Sequence, residues 1–128
     1  ETWLIDDDAR LSDGQQVSAL DERFHCLLVE ACGNEEMAAI HRGISERMRI
    51  IRRLDFTKGP RIDATYNEHG AILRAVLKRR GEEALRLLKP HIEASKAEVR
   101  KITLHMLHAA RERHQAQGEQ GRTMQRIG

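Results

Sequence analysis

Apolar residues recur at intervals of three and four along most of this 128-residue sequence. This spacing places them on one face of an α-helix, whereas the strict alternation typical of a half-buried strand does not occur. The clearest run follows Gln15 and consists of Val17, Leu20, Phe24, Leu27, Leu28 and Ala31. The pattern therefore predicts an all-α fold, most simply an antiparallel helical bundle with short connections.

Glycine and charged residues set the ends of the first two predicted helices. The first covers about residues 15–32 and stops at Gly33-Asn34, where glycine suits a left-handed cap. The second runs from about Glu35 to Leu54, since acidic residues favour a helix N-terminus. We expect its buried face to consist of Met37, Ile40, Ile44, Met48 and Ile51.

The Thr57–Pro60 segment separates these helices from two more. The third ends just before Gly81, and the fourth runs from Glu82 to about Arg113. Pro90 lies inside the fourth helix, where we expect a kink rather than a stop. The chain is thus divided into a lead-in segment or partial helix (1–14), a bundle (15–113) and a flexible tail (114–128).

The composition indicates one globular domain, with 40% hydrophobic and 33% charged residues. Basic and acidic residues are interspersed and leave a net charge of +2, which predicts neither a nucleic-acid-binding surface nor a membrane surface. No apolar run approaches the roughly 18 residues of a membrane span. Cys26 and Cys32 fall on divergent faces of one predicted helix, which favours a reduced, cytoplasmic setting. The first residue is Glu1 rather than Met, which leaves room for a domain upstream.

Asp21 and His25 are four residues apart in the first predicted helix and therefore share one helical face. Asp21 falls inside the apolar stripe, so we expect its carboxylate to be ion-paired with an arginine of the second helix, protonated or bound to a metal. His69 lies on the buried face of the third helix, and His91 lies at the margin of the buried face of the fourth. These four residues could converge in the bundle interior as a metal site used for sensing.

Three neutral imidazoles and one carboxylate suit a divalent transition metal, with zinc or nickel favoured and manganese or iron as alternatives. Four ligands would close a tetrahedral site, whereas a six-coordinate ion would keep two positions for water or a chelating small molecule. The simpler alternative is that each histidine is a hydrogen-bonded core residue. We interpret the remaining histidines as solvated, namely His41, His105, His108 and His114.

Three further side chains are candidates for binding an effector beside the metal. Thr65 lies one turn before His69 on the same face, so its hydroxyl could bond an effector or a metal-bound water. Arg47 falls within the predicted buried stripe of the second helix, where a guanidinium could bind a carboxylate. Arg52 is the weaker candidate. The alternative for both arginines is a solvated or ion-paired position.

These residues together resemble the FadR C-terminal domain (FCD) family, the effector-binding domains of one branch of GntR-type bacterial transcription regulators. The resemblance covers about residues 15–112. It is carried by Asp21-x3-His25, Leu28, Ala31-Cys32-Gly33-Asn34, Glu68-His69-x2-Ile72 and His91.

The resemblance implies a divalent metal on Asp21, His25, His69 and His91, with a small organic acid at or beside it. It also implies a homodimer and an upstream winged helix-turn-helix domain that binds operator DNA. This sequence contains no winged-helix segment and lacks most of the opening helix of the family, with its arginine. We therefore expect a ligand-sensing regulatory domain that is not an enzyme. A metal-dependent enzyme of helical-bundle type and a metal-free helical dimerisation module are the alternatives.

Overall fold

The computed structural model describes the backbone of residues 2–124 and the side chains of residues 2–113. A short 3-10 helix, Asp7–Ala9, precedes the α-helices. These are α1 (Gly14–Glu30), α2 (Glu35–Asp55), α3 (Gly59–Leu77) and α4 (Gly81–Met124). No residue between 2 and 124 lies in a strand, so the predicted all-α bundle is confirmed. Within the same range, no helix is both long and apolar enough to cross a membrane.

Side-chain caps explain where α1 and α2 begin. The Asp13 carboxylate accepts hydrogen bonds from the backbone N–H groups of Gln15 and Gln16. The Asn34 side chain does the same for the N–H of Met37. Such caps satisfy backbone donors that have no partner within the helix. Gly33 has a φ of 74°, which is the left-handed conformation predicted for the end of the first helix.

The end of α3 differs from the prediction, because the helix stops at Leu77 instead of continuing to the residue before Gly81. Arg79 adopts the left-handed conformation there, with a φ of 55°. The N–H of Arg80 then donates a 2.9 Å hydrogen bond to the carbonyl oxygen of Ala75. This bond satisfies a carbonyl that the helix itself leaves free. Arginine therefore takes a position that glycine usually occupies.

The helices run in alternating directions around one core. α1 packs mainly on α2 and α3 mainly on α4, and contacts of α2 with α4 and of α1 with α3 close the bundle. Ion pairs joining Glu30 to Arg42 and Glu22 to Arg49 show that α1 and α2 are antiparallel. The core consists of Trp3, Val17, Phe24, Phe56, Ile62, Tyr66 and Ile72. Its first member belongs to the lead-in segment, which is therefore part of the packed structure.

The predicted buried face of α2 is wrong over the first part of the helix, whereas Met48 and Ile51 of that face are half-buried. Ile40 and Ile44 are 59% and 56% exposed, whereas Ser45 is buried. The reason is that α2 turns two of its arginines towards α1, where Arg49 binds Glu22 and Arg52 binds Asp21. The opposite side of the helix faces away from the bundle. We call it the outer face of α2, and it consists of Glu36, Met37, Ile40, Gly43, Ile44 and Arg47, all of them exposed.

α4 passes through Pro90 without a break, as predicted, and the kink expected there stays a prediction. The helix was expected to end near Arg113, but its backbone continues to Met124. Residues 125–128 of the predicted tail lie outside the described residues.

Candidate metal centre

The structure brings together the four residues that were predicted to share a metal site. Asp21 and His25 come from α1, His69 from α3 and His91 from α4. One potential ligand atom of each residue lies within 4.8 Å of those of the other three. We call these four residues the Asp-His cluster. His25 and His91 are 66 residues apart in the sequence. The cluster therefore forms only when the bundle folds.

The distances within the Asp-His cluster match those between ligands of one metal ion. The Nε2 atom of His91 lies 3.2 Å from that of His69 and 3.3 Å from that of His25. Oδ1 of Asp21 lies 3.4 Å from His69 Nε2 and 3.6 Å from His25 Nε2. Ligands about 2.1 Å from a tetrahedral ion are separated by about 3.4 Å. The donor set and its spacing therefore fit a divalent transition metal.

Glu68 fixes the orientation of His91. Its Oε2 atom contacts Nδ1 of His91, so the imidazole donates its Nδ1 proton to the carboxylate and turns the Nε2 lone pair towards the cluster. A carboxylate behind a histidine is the usual arrangement around protein-bound metals, because it sets the tautomer and raises the basicity of the ligand. The sequence places Glu68 directly before His69 but does not indicate its role, since its partner is a histidine 23 residues later.

Arg61 supports Glu68 from the other side. Its guanidinium lies 3.6 Å from Glu68 Oε2 and 3.2 Å from Asp55 Oδ2, and it donates a 2.7 Å hydrogen bond to the hydroxyl of Ser95. The side chain is largely buried. This network ties the end of α2 and the start of α3 to the part of α4 that carries His91.

Burial keeps His69 and His91 of the Asp-His cluster neutral. His69 is fully buried, and desolvation lowers its pKa to about 3 although the Asp21 carboxylate acts in the opposite direction. Burial also lowers the pKa of His91, against the effect of its bond to Glu68. Neutral imidazole is the form that binds a metal. Both residues are therefore ready to act as ligands at neutral pH.

Asp21 is ionised in the same environment. Burial acts to raise its pKa, but the hydrogen bond with His25 and the nearby Arg52 guanidinium favour the ionised form, and the pKa lies below its usual value. Arg52 Nε lies 2.9 Å from Asp21 Oδ2, which leaves Oδ1 facing the histidines. The carboxylate thus offers one oxygen to the cluster and the other to arginine.

Aromatic rings hold His69 in place. Phe24 stacks on its imidazole with centroids 3.8 Å apart, and Trp3 meets it edge-on at 4.4 Å. The next residue, Gly70, allows this close approach, because a Cβ there would lie 2.9 Å from the carbonyl oxygen of Trp3. Nδ1 of His69 is buried and has no hydrogen-bond partner among the described residues. The role of Trp3 had no sequence signal, since the lead-in shows no helical periodicity.

The predicted effector-binding residues occupy three different environments. Thr65 is fully buried, and its hydroxyl donates a 2.9 Å bond to the carbonyl oxygen of Arg61. Arg52 is ion-paired with Asp21 and Glu22, which is the alternative that the sequence left open. Arg47 is exposed, so the prediction that it points inwards is wrong. The error follows directly from the misassigned face of α2.

Two of the other four histidines are solvated, as predicted. His105 and His108 are exposed, whereas the side chain of His114 lies outside the described residues. His41 is the exception, because it is half-buried with its Nδ1 3.7 Å from the sulfur of Cys26. Burial lowers the pKa of His41. The expectation of a solvated His41 is therefore wrong.

Comparison with known families agrees with this architecture. The family model described as the FCD domain matches residues 4–94. No significant match was found among curated proteins or among solved structures. The matched range contains the whole Asp-His cluster and covers well over half of the chain. The chain therefore belongs to the FCD domain family, the effector-binding regulatory domains of GntR-type transcription regulators.

Proposed function

We propose that this domain senses a small organic acid through a divalent metal held by Asp21, His25, His69 and His91. The observation that carries the proposal is the convergence of four ligand atoms from three helices, at metal-ligand spacing, in a setting whose burial keeps His69 and His91 neutral. Zinc or nickel suits three nitrogens and one oxygen best, and manganese or iron would also fit. When bound, the ion would supply a positive centre to which a carboxylate can bind.

The chain's own residues prepare this site. Glu68 and Arg52 each hold one ligand residue in a fixed orientation. Thr65 lies one turn before His69 and its hydroxyl oxygen keeps an acceptor position, so Thr65 and Arg52 are the candidate contacts for the acid. Since α1, α3 and α4 all contribute to the cluster, ligand binding would bias their relative positions.

The signal would pass to a winged helix-turn-helix domain encoded upstream in a cytoplasmic homodimer. Metal and acid can act only if they bind one arrangement of the dimer more tightly than another. Operator DNA would be bound through that upstream domain and not by the bundle.

The first test is the metal content of the purified protein by elemental analysis. We expect about one transition-metal ion per chain, a large reduction in His69→Ala, and no change in His108→Ala, where an exposed histidine of the same chain is removed. Unchanged metal content in His69→Ala would contradict the site.

The second test is calorimetric titration of the metal-loaded protein with a panel of small mono-, di- and tricarboxylates. We expect at least one acid to bind in the loaded protein and to bind much more weakly after chelation. A panel without any binder would contradict the sensing role even if the metal is present.

A further inference from the structure

The outer face of α2 is an apolar surface that the bundle does not cover. Met37, Ile40 and Ile44 are 42%, 59% and 56% exposed. Arg49, which binds Glu22 of α1, lies about 180° around the helix from Ile40 at 3.6 residues per turn. A helix that turns its polar side to the bundle and its isoleucines to solvent is expected to have another partner for those isoleucines.

We propose that the outer face of α2 packs against the same face of a second copy of this chain, with the two α2 helices antiparallel. A two-fold axis would pass close to residue 42, so that Ile40 of each copy lies opposite Ile44 of the other. Such an interface is isologous, because the same patch serves on both sides. This inference rests on the homodimer in the proposed function but does not depend on the metal.

Charge favours a second copy in this orientation. Glu36 and Arg47 lie at opposite ends of the outer face, and both are exposed. In the antiparallel arrangement, Arg47 of one copy lies beside Glu36 of the other, at both ends of the interface. A parallel arrangement would bring the two Glu36 side chains together and likewise the two Arg47 side chains. Opposite charges in register are a determinant of orientation in helix pairs.

Gly43 allows the two helices to approach closely near the axis. A Cβ at this position would meet nothing within 4 Å in the single chain, so packing within the bundle does not require a glycine here. Glycine inside an exposed helix lowers its stability by about 1 kcal/mol relative to alanine. Close contact between the backbones of the two α2 helices explains why residue 43 is a glycine.

The outer face is small for a protein interface. Stable interfaces usually involve 20–30 residues from each side, whereas the outer face has six. We therefore expect a dimer that dissociates on dilution in the micromolar range.

Sedimentation equilibrium of the purified protein from about 1 µM to about 1 mM tests the proposal. The unchanged protein is expected to shift from monomer to dimer, and Ile44→Glu is expected to stay monomeric with an unchanged circular dichroism spectrum. Leu107→Glu, the matched change of an exposed apolar residue on α4, is expected to dimerise normally. A monomer throughout, or equal dimerisation by Ile44→Glu, would overturn the proposal. If only Leu107→Glu fails to dimerise, the interface lies on α4, and the proposal is overturned as well.

Charge reversal tests the orientation. Glu36→Arg and Arg47→Glu should each weaken the dimer roughly tenfold, because two attractive contacts per dimer become repulsive. The double variant should restore the original affinity. If neither single reversal changes the affinity, the antiparallel arrangement is wrong.

Metal content measured on the same samples separates this inference from the proposed function. A monomer that keeps its metal overturns only the interface. A dimer without metal supports the interface and counts against the metal site alone.

Discussion

The Asp-His cluster and the outer face of α2 reverse the usual distribution of side chains. In the cluster, a carboxylate and three imidazoles are buried or half-buried in the bundle. On the outer face, isoleucines are exposed, while Arg49 and Arg52 of the same helix turn towards α1. Normally, polar groups are exposed and aliphatic groups are buried, so both arrangements carry a free-energy penalty in the isolated chain.

The two regions differ in what would remove that penalty. Buried imidazoles with converging lone pairs are stabilised by a cation, whereas exposed isoleucines are stabilised by another apolar surface. Metal binding should therefore stabilise one chain at any protein concentration. Dimer formation should depend on concentration. The following predictions use this difference, beginning with the largest expected effect.

Metal loading should give the largest change. A ligand present at about 1,000 times its dissociation constant stabilises the folded state by about 4 kcal/mol. We expect a corresponding rise in melting temperature when zinc or nickel is added to the chelated protein, measured by differential scanning calorimetry. Ile44→Glu should show the same rise, because the outer face lies apart from the cluster. His91→Ala should show little or none, and a full rise in that variant would contradict the assignment.

Buried and exposed isoleucines should differ almost as strongly. Ile72 is 1% exposed and Ile44 56%. Replacing a buried isoleucine with alanine typically costs 2–5 kcal/mol, whereas most surface changes stay within about 0.5 kcal/mol. Urea unfolding at low micromolar concentration should show this contrast between Ile72→Ala and Ile44→Ala. A loss of more than about 1 kcal/mol in Ile44→Ala under monomeric conditions would mean that the outer face is covered within the chain.

The error at α2 shows where sequence reasoning stops. Helical periodicity identifies the apolar side of a helix, and at α1 and α3 most of that side is buried, although Leu27 and Val76 are 52% and 45% exposed. At α2, ion pairs with α1 determine the orientation instead, and those pairs join residues up to 31 positions apart, as in Asp21 and Arg52. Arg47 was misplaced for the same reason. Periodicity alone does not distinguish a core from an interface.

The Asp-His cluster was predictable because its members follow local rules. The four-residue spacing of Asp21 and His25 and the phase of His69 are visible in the sequence, and the family pattern adds His91. Their supporting residues were not predictable. Glu68 and Trp3 act through contacts between separate elements, for which the sequence carries no periodic signal.

Removing Glu68 should weaken the metal site without abolishing it. Loss of a carboxylate that orients a metal-binding histidine typically reduces metal affinity by about 10- to 100-fold. We expect this reduction in Glu68→Ala, measured by competition with a chromophoric chelator, and a partial recovery in Glu68→Gln, whose amide oxygen can still accept the His91 proton. Glu93→Ala, an exposed glutamate of α4, is the control and should bind normally. Equal metal affinity in Glu68→Ala and in the control would show that Glu68 does not position His91 for metal binding.

The smallest effect is the pH dependence of the metal-free protein. The pKa of His69 is lowered by burial to about 3 in the folded state, against about 6.5 in the unfolded chain. Well above pH 6.5 neither state binds the proton, so the contribution of neutral His69 to stability is fully present. As the pH falls further, only the unfolded chain is protonated, and the folded state loses stability.

This single group should contribute a loss of about 1.3 kcal/mol between pH 7 and pH 5.5, measured by urea unfolding in the presence of a chelator. His91 should add to this loss of stability at low pH, since its pKa is also lowered in the folded state. His69→Gln should have a shallower pH dependence, whereas Ile44→Ala should keep the full slope because this substitution removes no titratable group. An unchanged slope in His69→Gln would show that its imidazole is not held neutral by burial. The contrast between the two regions would then rest on the metal alone.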